Sequence, residues 1–112
     1  MDNTEILHAT NFGKVIDCSC CNEMQLSFGN VLIQMPMQGF DNLSQVLTKM
    51  TTSKSYKEIV ESGIGRLVIN TPHRGLSITV SPKEFEQLTE LIDTAVYMKQ
   101  VKEMVYRDSE LD

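Results

Sequence analysis

Every second residue from Met24 to Met35 is apolar, and the alternation reflects across Gly29-Asn30. A two-residue type II′ turn at that pair sets Phe28 against Val31, Leu26 against Ile33 and Met24 against Met35, so all six side chains share one face of an antiparallel hairpin. Glu23, Gln25, Ser27 and Gln34 then share the other face. A slip of one residue would turn the whole apolar set toward water, so this stretch fixes its own register. A hairpin with one apolar face needs a covering layer, and the nearest material for one is helical.

The first helix follows directly, with Phe40, Leu43, Val46, Leu47 and Met50 at helical spacing. A second unit has the same order. Leu67 and Ile69 face Leu76, Ile78 and Val80 across a loop containing Thr71-Pro72-His73-Arg74-Gly75, and Ser81-Pro82-Lys83-Glu84 then opens a helix. That tetrapeptide is a capping box: a hydroxyl at the N-cap, a proline at the first helical position and a glutamate at the third. The stripe of this helix reads Phe85, Leu88, Leu91, Ile92 and Ala95. The two units, about residues 22–51 and 66–96, are related by a constant offset of 45, as from Phe40 to Phe85. The pattern predicts an internal ββα repeat, although binary patterning alone imitates such repeats.

Upstream, Ile6 to Thr10 and Lys14 to Cys18 suggest a third hairpin around Asn11-Phe12-Gly13. Residues 51–65 read as a polar connection with one helical turn using Tyr56, Ile59 and Val60, ended by Gly63 and Gly65. The expected fold is therefore α+β: one domain over 1–112, a mainly antiparallel sheet of about six strands, and two main helices on one face. Residues 97–112 are expected to form a helical extension of that domain.

A formal net charge of −5, spread along 112 residues with no basic face, argues against nucleic-acid recognition. The absence of any apolar run near the ~20 residues of a membrane span argues against a membrane role. Met1-Asp2-Asn3-Thr4-Glu5 lacks the basic and apolar regions of a secretory signal, which points to a reducing cytoplasm.

The chemical hint is the cluster Cys18-Ser19-Cys20-Cys21, with His8 ten residues upstream. Thiolates and imidazole together are soft-metal ligands, so Cys18, Cys20, Cys21 and His8 form a candidate zinc set, with thiol redox chemistry as a lesser variant. A three-residue Asn11-Phe12-Gly13 loop with Gly13 left-handed would place His8 on the face of Cys18 and Cys20, and a two-residue Phe12-Gly13 turn would place it on the other. The glycine favours the first. The competing explanation is that buried cysteines act as small apolar fillers, in which case there is no cofactor. His73-Arg74 reads as an exposed hairpin tip, and Glu84 and Glu86 are explained by the helix dipole without catalysis. No phosphate-cradling glycine motif, serine elbow or His-Glu-x-x-His helix is present.

The order of the cysteine cluster, a short spacer, Leu26-Ser27-Phe28-Gly29-Asn30-Val31-Leu32 and then a helix resembles a domain-of-unknown-function family of small proteins found mainly in Bacteroidetes. The resemblance covers about residues 15 to 95. It implies a bacterial cytoplasmic origin and brings no activity or catalytic residue.

The last helix is predicted to run to about Arg107, with Met98, Val101 and Val105 in an apolar stripe beside Tyr97 and Met104. Such a stripe must be covered, by the first hairpin or by another chain. The sequence thus points to a non-catalytic interaction or structural module, associating with itself or a protein partner through the C-terminal helix, with cysteine-ligated zinc as the alternative.

Overall fold

The hairpin centred on Gly29-Asn30 forms in the register that its alternation demands. In the computed structural model, which describes residues 4–18 and 22–110 (only the backbone over 106–110), the order is β1 (Thr4–Ala9), β2 (Gly13–Cys18), β3 (Glu23–Phe28), β4 (Val31–Pro36), α1 (Met37–Thr51), α2 (Lys54–Ser62), β5 (Leu67–Asn70), β6 (Ser77–Val80) and α3 (Pro82–Glu110). Phe28 pairs with Val31, Leu26 with Ile33 and Met24 with Met35. Gly29 has φ +57°, while Asn30 stays at negative φ, the combination that a type II′ turn requires. Met24, Leu26, Phe28, Ile33 and Met35 are buried, and Val31 is half-buried.

β1 to β4 form one antiparallel meander in sequence order. β5 and β6 pair only with each other, so the expected sheet of about six strands is instead a four-stranded sheet and a separate two-stranded one. The backbone of β4 explains the break. With Phe28 and Val31 closing a two-residue turn, Leu32, Gln34 and Pro36 turn their backbone groups to the free edge, and Pro36 has no N–H to give. The second hairpin meets this edge at its tip: His73 Nε2 lies 2.6 Å from the Gln34 carbonyl oxygen. A carbonyl can only accept, so the ring nitrogen carries the proton. Leu76, expected inside the second hairpin, precedes β6 and is exposed, since its carbonyl accepts the Thr71 N–H and closes the loop.

The helices cover one face of the meander, α3 over β1 and β2, α1 over β3 and β4. The two stripes lie inward: Phe40, Leu43 and Leu47 from α1, and Phe85, Leu88, Leu91, Ile92 and Ala95 from α3, are all buried. Leu67, Ile69, Ile78 and Val80 complete the same core cluster. The capping box forms as read, with the Glu84 N–H donating to Ser81 Oγ at 3.2 Å and the Ser81 N–H to Glu84 Oε1 at 2.8 Å. That backbone donor holds the Glu84 carboxyl below its usual range, followed in weight by the Ser81 hydroxyl contact. The polar connection holds more than one turn. α2 is capped by Ser53 Oγ accepting the Tyr56 N–H and ends at Gly63 with φ +69°. Tyr56 tilts against Phe85 with ring centroids 5.1 Å apart, which ties α2 to the core.

The first turn departs from expectation. Its loop has two residues, Asn11-Phe12, closed by the Thr10 N–H donating to the Gly13 carbonyl at 2.8 Å, and Gly13 is not left-handed. Glycine is required there for a different reason: a Cβ at this position would collide with the Ser27 carbonyl oxygen. Gly13→Ala should therefore cost about 1–3 kcal/mol through forced separation of β2 and β3. Urea denaturation checks this, and an unchanged midpoint would contradict the close approach. A bulge between Ile6 and His8 further shifts the β1 register against β2.

Candidate functional site

Alternation along β2 sets two faces. Val15 and Asp17 point into the helix-covered layer, so Ile16 and Cys18 point to the open face of the sheet. Cys18 is half-buried there, at a shallow depression of about 110 Å³ lined with Thr4, Ile16, Glu23, Gln25 and Gln34. His8 lies across from Val15, and its Nε2 is 3.2 Å from Glu90 Oε1 on α3. His8 is thus on the helix-covered face, and the structure does not bring it to Cys18. The two-residue turn is the reason, because it reverses the facing that a three-residue loop would give. Cys20 and Cys21 lie outside the described residues. Among the described residues no group of three or more His, Cys, Asp or Glu side chains gathers to hold a metal ion.

A cluster that sequence reasoning missed lies under the second half of α3. Asp17 is 6% exposed, a carboxylate inside an otherwise apolar row. Its Oδ2 receives Lys99 Nζ at 3.3 Å and Lys102 Nζ at 3.6 Å; Lys102 also pairs with Glu5, and Lys99 with Glu103 at 3.4 Å. The Glu5 contact, opposed by burial and assisted by Asp17, raises the pKa of Lys102 and keeps it charged. The signal was present in the sequence. The inward stripe of α3 continues from Leu88, Ile92 and Ala95 to Lys99 and Lys102 at unbroken helical spacing, and Asp17 occupies a core-facing strand position.

These lysines anchor the inner face of α3, and the apolar residues move to the outer one. Tyr97, Met104 and Val105 are 63%, 62% and 61% exposed, Met98 is also exposed, and Val101 is half-buried beside them. At 100° per residue this seam is rotated roughly 140° from the buried stripe. Of the residues from 96 to 105 only Lys99, Lys102 and Glu103 are charged, and all three belong to the ion-pair cluster. The outer face is therefore apolar and uncharged over about two turns. A groove of about 240 Å³ between Met37 and Asp41 of α1 and Val96, Gln100 and Glu103 of α3 runs along its flank. No helix among the described residues is long and apolar enough to cross a membrane.

A helix-covered antiparallel meander with a long helix that changes its apolar face is an α+β architecture. The chain belongs to a family of unknown function, DUF6686, whose model matches residues 1–111. The match is wider than the stretch that carried the sequence resemblance and includes the whole of α3. No curated protein and no solved structure matches the chain.

Proposed function

We propose that this protein is a non-catalytic interaction module of the bacterial cytoplasm whose contact surface is the outer face of α3 from Tyr97 to Val105. The observation that supports the reading is the change of face after Ala95, where the inward positions become lysines bound to Asp17 and the apolar residues turn to solvent. Covering such a face with protein removes apolar surface from water at about 25 cal/mol per Å². The fold contributes by holding that face in place: Lys99 and Lys102 tie the helix to β1 and β2, so little helix order need be gained on binding.

A photo-reactive residue placed at position 97 tests this reading in cells, with position 83, exposed at the other end of α3, as control. Adducts from 97 and not from 83 are expected, whatever the captured protein. Equal capture at both positions, or none at 97, would refute the assignment. Zinc held by the cysteines is the alternative reading. It would draw on Cys18, Cys20 and Cys21 with a ligand other than His8, which serves the opposite face of the sheet.

A further inference from the structure

Resting on that reading, we propose that the outer face of α3 takes a second copy of the same chain, packed antiparallel across Val101. Tyr97, Val101 and Met104 recur at intervals of four and three, and Met98, Val101 and Val105 at three and four, which is the spacing of a helix-pairing seam. Both sets share Val101. A two-fold axis beside it places Tyr97 in the layer of Val105 of the second copy, and Met98 in the layer of Met104. The face is then self-complementary, a bulky residue meeting a small one in the outer layers and two methionines filling the inner ones.

Charge favours a copy over an unlike partner. A copy ordinarily brings like charge against like charge, but Lys99 and Lys102 are half-buried against Asp17, and Glu103, although exposed, pairs with Lys99 on the side of the helix away from the seam, so the seam meets its own image without repulsion. A face selective for a different protein would be expected to display charges that reject copies of itself, and this one displays none. Two turns of helix cover less than the roughly 800 Å² per partner of a durable interface, so the dimer is weak and reversible.

The test uses the full chain and two variants, Tyr97→Lys and Val105→Glu. Light scattering of the unmodified protein over a hundredfold concentration range should show the mass rising from 12.7 kDa toward twice that value. Each variant alone should weaken association more than about tenfold, because a charge is then buried against an apolar residue. An equimolar mixture of the two should recover the dimer, since only antiparallel pairing sets the introduced lysine of one chain beside the introduced glutamate of the other. The recovery also shows that both variants are folded. An unmodified protein that stays monomeric, variants that associate as the unmodified chain does, or a mixture that fails to recover would each overturn the proposal. If the unmodified protein is monomeric while position 97 captures some other protein in cells, the interaction reading stands and self-pairing falls.

Discussion

Leu88→Ala is expected to lower stability by about 2–5 kcal/mol, and Leu47→Ala by a comparable amount. Both side chains are fully buried, one on each of the two helices that cover the meander, and both belong to a single cluster with Val15, Leu26 and Ile33. Truncation removes the transfer free energy of the lost methyl groups and leaves a void between close-packed helices and sheet, which relaxes only in part. Urea denaturation of each variant provides the measurement. Losses below about 0.5 kcal/mol in both, the range of ordinary surface changes, would mean that α1 and α3 do not share one layer.

The second large effect is electrostatic. Changing Lys99 and Lys102 together to Met keeps the aliphatic stems and removes both cations from Asp17, leaving a carboxylate 6% exposed without its partners. A loss of about 2–4 kcal/mol is expected, less than for a wholly enclosed pair because both lysines keep contact with water. Adding Asp17→Asn to the double variant should recover much of the loss, since a neutral amide is cheaper to bury than an ion. A double variant as stable as the unmodified chain would show that the cluster contributes nothing. Truncation after Ala95 would remove the lysines along with the seam, so a stability loss there could not be read as loss of association; point changes at Tyr97 and Val105 separate the two effects.

What was legible in the sequence was local. The Gly29-Asn30 turn and the Ser81-Pro82-Lys83-Glu84 box each rest on residues within four positions of one another, and both formed as their chemistry dictates. The inward stripes of α1 and α3 were legible for the same reason, through helical spacing. Gly13 shows where such reading stops: its turn position suggested left-handed backbone, whereas its role is to let the Ser27 carbonyl approach, a contact across 14 residues. The two-residue Asn11-Phe12 turn sets His8 opposite Val15 and beside Glu90, on the other face of the sheet from Cys18. The split into two sheets depended on what happens at the β4 edge, where Pro36 and an incoming histidine decide between pairing and docking. Asp17 went unread because alternation treats a charge at a core position as noise until a cation from 82 residues away is known to reach it.

The contact of His73 with Gln34 bears on how this chain can vary. A surface loop between two short strands is usually where insertions collect, because lengthening it costs little entropy and disturbs nothing beneath. Residues 71–76 are bound differently: the loop sets a ring nitrogen against the outward carbonyl of another sheet, while Pro72 rests over Gly39 on α1. An inserted residue would lift the imidazole and leave the Gln34 carbonyl open to a strand from outside. Loop length is thereby coupled to colloidal behaviour, and in this protein a change that leaves the core intact could still promote edge-to-edge aggregation.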